Sequence, residues 1–238
     1  MIKVKDLCKS YDDNKIFEHI NLDIDSKGID IVIGINGSGK TTLLNCICNL
    51  TKVTEGDIWV DGIDYKEKEA KKKMYYITSD FYLPEYLSGK EYAKFIFGIY
   101  KDYNEEVFEK CIDLFDLECH LGKKVSEYSY GMKKKLLLSI GLALNVKYVF
   151  ADELFNGLDF ESFLMTDYLI KIFSKNRKFV LVSHNLDYIK KNSDAKIYLL
   201  NAGKLEVIDD LENIENIVIR ESELNKKYED IKRFFSNF

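Results

Sequence analysis

Hydrophobic and polar residues alternate along the first third of the chain in a pattern typical of β-strands. The alternating apolar positions are Ile2, Val4, Ile20, Leu22 and Ile24. Residues 29–33 form a nearly continuous apolar run, which is typical of a strand buried on both faces of a parallel sheet. A further short strand is expected at residues 56–62, where Asp61-Gly62 predicts a tight turn. These short strands predict an antiparallel sheet beside a parallel core.

Residues 85–145 follow a helical period instead, with apolar residues three or four positions apart. One predicted helix carries Tyr92, Phe95, Ile96 and Ile99 on one face, and a second carries Val107, Cys111, Leu114 and Phe115. We expect both faces to pack in a helical core, because aromatic residues at this spacing serve packing more often than ligand binding.

The second half of the chain returns to short apolar runs, at residues 148–151 and 179–182, with a helical stretch at 162–175 between them. A hairpin and a terminal helix are expected within about 196–238. The whole pattern predicts an α/β fold with a mostly parallel sheet, an antiparallel β subdomain and an α-helical subdomain at about 80–145, in a chain long enough for one large domain or two small ones.

Composition narrows the classes of protein that fit this fold. The 238 residues are 46% hydrophobic and 32% charged, with a net charge of −5. This acidic balance argues against a general nucleic-acid binder, so no nucleic-acid partner is expected. No apolar stretch approaches the roughly 18 residues of a membrane span, and the first residues lack an apolar signal core. Five cysteines without metal-site spacing are expected to be reduced thiols. We therefore expect a cytoplasmic protein.

A glycine-rich loop at residues 34–41 carries the clearest chemistry, since it fits G-x-x-x-x-G-K-[ST] between a predicted strand and a predicted helix. Glycines allow backbone N–H groups to turn onto phosphate oxygens, and the helix N-terminus adds positive potential. Lys40 is expected to bind the β- and γ-phosphates, and the Thr41 hydroxyl to bind Mg²⁺. A chance match in a strand–helix turn is the alternative. The candidate phosphate-binding residues are Asn36, Gly37, Ser38, Gly39, Lys40, Thr41 and Thr42.

Two acidic residues end the predicted strand at 148–151. Beside a phosphate-binding loop, Asp152 is expected to bind Mg²⁺, and Glu153 to orient or deprotonate a water. On their own, two acids after a strand would more often form an exposed turn.

Together with further motifs, these residues resemble the nucleotide-binding subunit of an ATP-binding cassette (ABC) transporter. Residues 128–132, Tyr-Ser-Tyr-Gly-Met, are similar to the family signature Leu-Ser-Gly-Gly-Gln. Ser129 and Gly131 hold its second and fourth positions, and the resemblance implies that they face the ATP bound by a second subunit. Tyr11 resembles the adenine-stacking aromatic residue, and His184 the histidine that contacts the γ-phosphate. Residues 157–159, Gly-Leu-Asp, resemble the loop that links the two sites.

Several positions depart from the family pattern. Ser79 stands where a glutamine usually helps to bind Mg²⁺, with Asp80 beside it as an alternative ligand. Tyr130 replaces a glycine in the signature, and Leu154-Phe155 replaces Pro-Thr after the acidic pair. The Tyr-Ser-x-Gly-Met-Lys form of the signature resembles that of bacterial exporters of peptides and drugs.

The resemblance implies a single nucleotide-binding domain over 1–238 with the ABC ATPase fold and its P-loop NTPase core. It also implies an ATPase with ATP and Mg²⁺ that powers transport, with export as the favoured direction. It further implies a homodimer or heterodimer of nucleotide-binding subunits, docked on a separate transmembrane permease at the inner face of the membrane. Residues 79–100 are the expected contact, although their aromatic residues could simply close a helical core. A binding-only regulatory cassette with weak hydrolysis and a soluble, non-transport ABC ATPase remain the alternatives.

Overall fold

The structure is a computed structural model that describes residues 1–79, 83–210 and 224–235. Its strands form two sheets, a four-stranded antiparallel sheet and a six-stranded sheet that is mostly parallel. The strands are β1 (Ile2–Tyr11), β2 (Asn14–Ile24), β3 (Gly28–Ile33), β4 (Glu55–Val60), β5 (Ile63–Asp64), β6 (Met74–Ile77), β7 (Tyr148–Asp152), β8 (Lys178–Val182), β9 (Lys196–Asn201) and β10 (Lys204–Ile208).

The antiparallel sheet has the order β2-β1-β4-β5, and the larger sheet has the order β10-β9-β3-β8-β7-β6. In the larger sheet only the β9–β10 hairpin pairs antiparallel among the described strands. The predicted parallel core, antiparallel sheet and late hairpin are therefore confirmed. Both residues of the predicted Asp61-Gly62 turn have positive φ, 52° and 81°, as a tight hairpin turn requires.

Helices cover the parallel sheet, and those that lie between β6 and β7 in the sequence form a separate layer. Those of the described ranges are α1 (Lys40–Ile47), α2 (Lys68–Lys71), α3 (Gly89–Tyr100), α4 (Glu105–Leu114), α5 (Tyr130–Ala143), α6 (Phe160–Ser174), α7 (Leu186–Lys191) and α8 (Leu224–Phe235). Polar side chains fix several of the helix starts. Ser88 and Glu91 form a reciprocal capping box at α3, and Asp159 caps α6. No helix in the described residues is long and apolar enough to cross a membrane.

The hydrophobic core lies on both faces of the parallel sheet, and β7 shows why its strands are apolar throughout. Tyr148 and Phe150 pack in the cluster shared with the antiparallel sheet and α1. Val149 and Ala151, which alternate with them, pack in the cluster shared with α3, α4 and α5. All five residues of β7 are buried. The continuous apolar runs of the sequence thus mark strands covered on both sides.

The prediction that Phe95 and Ile99 lie on the buried face of α3 was wrong. Phe95 and Ile99 are 55% and 50% exposed, whereas Ala93 and Phe97 are buried. The Phe97 ring stacks on Tyr103, with centroids 4.1 Å apart, and meets Phe108 edge-on at 5.2 Å. These contacts come from the segment after α3 and from α4, so the periodicity of α3 alone could not identify its buried side. In α4, Cys111 and Phe115 are buried as predicted, but Leu114 is exposed.

An ion pair with both side chains buried joins β3 to β8 near their N-terminal ends. The Lys178 ammonium lies 2.6 Å from Asp30 Oδ1, and both side chains are at most 5% exposed. A buried charge pair of this kind favours one arrangement, because neither charge tolerates losing its partner in a medium of low polarity. It therefore holds the two strands in register at the end opposite to the glycine-rich loop.

Asp61 connects the two sheets. Its carboxylate accepts hydrogen bonds from the amino group of Met1 at 2.7 Å, Lys147 at 2.7 Å, the Tyr148 hydroxyl at 2.8 Å and Lys73 at 3.1 Å. Burial alone would raise the pKa of Asp61, but these four donors outweigh it and hold the pKa well below its usual range. The ionised carboxylate thereby joins the β4–β5 turn to the start of β7.

We predict that Asp61→Asn lowers the free energy of unfolding at pH 7 by about 1.5–3 kcal/mol, the range for hydrogen bonds to a charged group. A depressed carboxyl pKa stabilises the fold above the unfolded value of about 3.9, and the effect is lost as the pH falls through the folded pKa. The difference between parent and variant in urea unfolding should therefore shrink as the pH falls below about 4. Asp57→Asn, at an exposed position in β4, is the matched control. A difference that does not change with pH would contradict this role.

Candidate functional site

The glycine-rich loop connects β3 to α1 and is pressed against the antiparallel sheet. Gly39 has φ 99°, and a Cβ placed on it would lie only 2.6 Å from Ile16 Cγ2 of β2. At Gly37, φ is 80°. Any residue with a side chain would be strained at either position, so the glycines of the motif meet a requirement of the backbone here. The loop backbone therefore packs closely against β2 at Gly39, in a conformation that glycine permits.

Lys40, the first residue of α1, folds back over this loop. Its ammonium donates to the carbonyl oxygens of Gly34 at 3.1 Å and Ile35 at 2.8 Å. Burial lowers the pKa of Lys40, although the charges of Asp152 and Glu153 act in the opposite direction. A positive charge is thus held inside the loop, close to the two acids at the end of β7.

Thr41 and Asp152 meet directly, as the sequence predicted for a shared metal site. The Thr41 hydroxyl donates to Asp152 Oδ2 at 2.6 Å, across 111 residues of chain. The second carboxylate oxygen, Oδ1, is buried and has no hydrogen-bond partner among the described residues, and the same holds for the Ser38 hydroxyl. Both oxygens lie at the glycine-rich loop and are therefore available to an ion, a water or a phosphate bound there.

These residues fit Mg²⁺. The ion prefers hard oxygen donors and is usually bound through one or two protein side chains together with phosphate oxygens and water. Thr41 and Asp152 supply such a pair of oxygens. The described residues contain no cluster of three or more His, Cys, Asp or Glu side chains that could hold a metal ion.

Glu153 and His184 lie side by side at the ends of β7 and β8. Glu153 Oε1 is 3.3 Å from His184 Nε2, and their side chains are 33% and 38% exposed. Burial and the nearby Lys40 ammonium hold the pKa of His184 below its ordinary value, so the imidazole is neutral at neutral pH. The pair is therefore partly open to water and lies beside the phosphate-binding loop.

Asn156 is a member of this group that sequence reasoning missed. Its amide donates to Glu153 Oε2 at 2.6 Å, and Glu153 itself has φ 49°. The left-handed backbone turns the chain back, so that a residue three positions later can reach the carboxylate. The spacing of Glu and Asn in a turn after a strand could have indicated this bond. Both carboxylate oxygens of Glu153 are thus oriented by neighbouring side chains.

Tyr11 ends β1 and is 47% exposed. It pairs with Asn14 at the β1–β2 turn, near the Ile16 side chain that contacts the loop. The ammonium of buried Lys9 lies 4.0 Å from the centroid of the Tyr11 ring. A cation on the ring favours one position of the aromatic plane. No pattern in the sequence marks Lys9 as part of the site.

Ser129 and Gly131 lie at the N-terminus of α5. The Ser129 hydroxyl accepts a hydrogen bond from the Met132 amide at 3.2 Å and so caps the helix. A Cβ on Gly131 would lie 2.6 Å from the carbonyl oxygen of Gly157, so only glycine fits. Within the described part of the chain, no hydrogen bond joins Ser129 or Gly131 to the glycine-rich loop. Gly131 thus lies against the loop after β7, whereas in the described structure neither Ser129 nor Gly131 is bonded to the glycine-rich loop of the same chain.

Ser79 follows β6, and its carbonyl oxygen accepts a hydrogen bond from the Tyr130 hydroxyl at 3.3 Å. Its own hydroxyl makes no hydrogen bond to Thr41 or Asp152 in the described structure. Asp80, the other candidate for the place of the usual glutamine, lies outside the described residues. Metal binding at this position stays a prediction.

All five cysteines are free, as expected for reduced thiols. Burial raises the pKa of Cys46 and Cys111 to about 11, which makes these thiols poor nucleophiles. They have no part in the site.

Comparison with known proteins identifies the family. The sequence model of the ABC transporter family matches residues 17–156, more than half of the chain. The chain belongs to the ABC transporter family. Similar relatives include the phosphonates import ATP-binding protein PhnC of Fusobacterium nucleatum, 29% identical over 227 residues, with 86% of this chain and 90% of that protein covered. The methionine import ATP-binding protein MetN of Clostridium acetobutylicum is 28% identical over 228 residues, with coverage of 90% and 70%.

Solved structures agree on the fold. The structure of an ATP-binding subunit of an ABC transporter superimposes with a TM-score of 0.80 at 23% identity, covering 98% of this chain and 99% of that one. The dimeric post-hydrolysis cassette MJ0796 with ADP and Pi gives a TM-score of 0.76 at 23% identity, covering 87% and 97%. The predicted ABC ATPase fold and the ATPase class are confirmed. The chain is an ATP-binding subunit that powers transport through a separate membrane partner, and cassettes of this family dimerise.

We predict that Asn156→Ala lowers the turnover number for ATP about tenfold, because the lost hydrogen bond to a carboxylate no longer orients Glu153. ATP binding should stay unchanged. Steady-state phosphate release and equilibrium binding of a fluorescent ATP analogue measure the two effects. Asn145→Ala is the matched control, since Asn145 also donates to an exposed carboxylate, that of Asp102, at 2.9 Å. Equal turnover in the two variants would contradict a role for Asn156.

Proposed function

We propose that this chain hydrolyses Mg·ATP at a composite site between two cassettes, at the inner face of a membrane. The observation that carries the proposal is the grouping of five predicted residues around one loop. Thr41 touches Asp152 at 2.6 Å, Glu153 lies 3.3 Å from His184, and Lys40 lies near both acids.

In this proposal the loop binds the phosphates of ATP. The backbone amides of residues 36–42 and the Lys40 ammonium face the phosphate oxygens, and the N-terminal end of α1 adds its positive potential. Tyr11, supported by Lys9, stacks on the base. Thr41 and Asp152 hold Mg²⁺, which when bound offsets the charge of the phosphate oxygens.

Glu153 acts on the attacking water. Its carboxylate is held between Asn156 and His184, and its partial exposure leaves room for a water beside it. It orients that water and accepts its proton, as a general base positioned within hydrogen-bond reach can. The neutral imidazole of His184 has a single N–H, which moves from Glu153 to the γ-phosphate when ATP binds, and Lys40 stabilises the charge of the transferred group.

A second subunit completes the site. Ser129 and Gly131 make no hydrogen bond to the loop of their own chain in the described structure, yet they present the N-terminus of a 14-residue helix. Such a helix end attracts a phosphate group. We assign these residues to the γ-phosphate bound by the other subunit, which is a second copy or a homologous cassette.

The surface for the membrane partner lies on α3 and the segment before it. Tyr86, Phe95 and Ile99 are 74%, 55% and 50% exposed, and exposed apolar side chains that lie together can form an interface. Leu83 is buried and belongs to the core, and Phe81 and Tyr82 lie outside the described residues. The exposed group supports residues 79–100 as the contact.

Two observations favour opposite directions of transport. The Tyr-Ser-Tyr-Gly-Met signature favours export, whereas PhnC and MetN are named as import proteins. We propose export because of the form of the signature. Transport of candidate peptides into inverted membrane vesicles that hold the complete transporter tests it, and uptake only in right-side-out vesicles would reverse the assignment.

We predict that Glu153→Gln lowers turnover by about 10²–10⁴, the usual contribution of a general base, while ATP binding persists. The variant should also accumulate a dimer in the presence of ATP. Phosphate release and sedimentation velocity measure the two effects. Glu161→Gln, in the exposed first turn of α6, is the control. Turnover within scatter of the parent would exclude this role of Glu153, and no turnover in the parent, with or without its partner, would favour a binding-only cassette.

The position of the usual glutamine gives a separate prediction. Ser79→Ala should leave ATP binding nearly intact and weaken either the Mg²⁺ dependence of turnover or its stimulation by the membrane partner, because a serine is shorter than glutamine and could reach Mg²⁺ only through a water. A Mg²⁺ titration of phosphate release, with and without the partner, measures both. A larger effect of Asp80→Ala in the same titration would assign the metal-linked role to Asp80.

A further inference from the structure

Two departures of this chain from the family pattern touch each other. Tyr130 stands where the signature usually has glycine, and Ser79 stands where a glutamine is usual. In the structure the Tyr130 hydroxyl donates to the Ser79 carbonyl oxygen at 3.3 Å, across 51 residues of chain. A glycine at position 130 would leave this carbonyl without that donor.

The ring of Tyr130 makes a second contact, with the loop between β7 and α6. Gly157 has φ 77°, and a Cβ placed on it would lie 2.6 Å from Tyr130 Cδ1. The ring therefore lies flush on the Gly157 backbone, in a space that only glycine leaves open. A side chain at Gly157 would be excluded twice, by its φ and by the ring.

The third contact joins the ring to the acidic strand end. The Lys134 ammonium lies 5.4 Å from the centroid of Tyr130 and donates to the Asp152 carbonyl oxygen at 3.0 Å. Lys134 is completely buried. One tyrosine thus connects the start of α5 with the segment after β6, with the loop after β7 and, through Lys134, with the end of β7.

We propose that Tyr130 is a positioning residue that fixes the N-terminus of α5 on its own chain, so that Ser129 and Gly131 meet the partner subunit's nucleotide in one orientation. The inference rests on the proposed composite site. A helix end with glycine at this position would be free of all three contacts, and glycine near a helix start also raises the entropy of the unfolded chain. Tyr130 restrains the N-terminus of α5 through contacts within its own subunit, which a glycine could not make.

The first test measures the start of α5 in the single chain, by amide hydrogen exchange across residues 129–134. Tyr130→Phe removes only the hydroxyl, and exchange of the Met132 and Lys133 amides should rise about 2- to 10-fold, the value of one neutral hydrogen bond. Tyr130→Gly should raise it further. Tyr168→Phe, which removes the hydroxyl of a 67% exposed tyrosine on α6, should change nothing. Unchanged exchange in Tyr130→Phe and Tyr130→Gly would overturn the proposal.

The second test measures ATP-dependent dimerisation in the Glu153→Gln background by sedimentation. Tyr130→Phe should weaken the dimer about 2- to 10-fold and Tyr130→Gly by more than tenfold, with ATP affinity of the single chain unchanged. A glycine variant that dimerises as tightly as its parent would overturn the inference, since the usual signature residue would then serve equally well. Because Tyr130→Phe keeps the ring, it stays informative if circular dichroism shows Tyr130→Gly to be misfolded.

The two proposals fail in different ways. If the Glu153→Gln parent gains no dimer with ATP, the composite site between two copies fails, and the exchange experiment still tests Tyr130. If the parent dimerises and the Tyr130 variants match it in both measurements, the positioning role fails and the composite site stands.

Discussion

The site depends on one constraint, the parallel register of β3, β8 and β7. Val32 pairs with Val182, and Val182 pairs with Asp152 on its other side. Parallel strands in register end at the same edge of a sheet, so the loop after β3, the histidine after β8 and the acids after β7 meet there. The buried ion pair of Asp30 and Lys178 holds β3 and β8 at their opposite ends. A slip by one residue would turn alternate side chains to the other face and would separate Asp152 from Thr41.

Much of the site could be predicted because its reactive residues lie in short, continuous segments of the sequence. The glycine spacing of residues 34–41 sets a backbone shape by itself, and Lys40 and Thr41 follow from it along the chain. Asp152 and Glu153 were identifiable because they follow a run that is apolar throughout, and the structure places both beside the loop. The strands were predictable for the same reason, since burial on two faces leaves an unbroken apolar run.

The remaining features depend on contacts between distant segments. The buried face of α3 is set by Tyr103 and Phe108, which the period of α3 does not contain. Lys9 lies behind Tyr11, and Lys134 lies against Asp152, although lysine side chains are mostly exposed to solvent. The bond from Tyr130 to Ser79 joins positions that look like two unrelated departures. Tertiary contacts decide in each case, and no local pattern encodes them.

Because Lys134 is completely buried, the reaction rate of its amine depends on how often the surrounding structure opens. Its ammonium is enclosed between α5 and the end of β7, with an exposed fraction of 0%, whereas the neighbouring Lys133 is only half-buried. An acylating reagent in water can reach the first amine only while α5 stands away from the sheet. When closing is faster than modification, the rate at which Lys134 is modified therefore equals the fraction of time for which its amine is exposed, multiplied by the intrinsic rate of an exposed lysine.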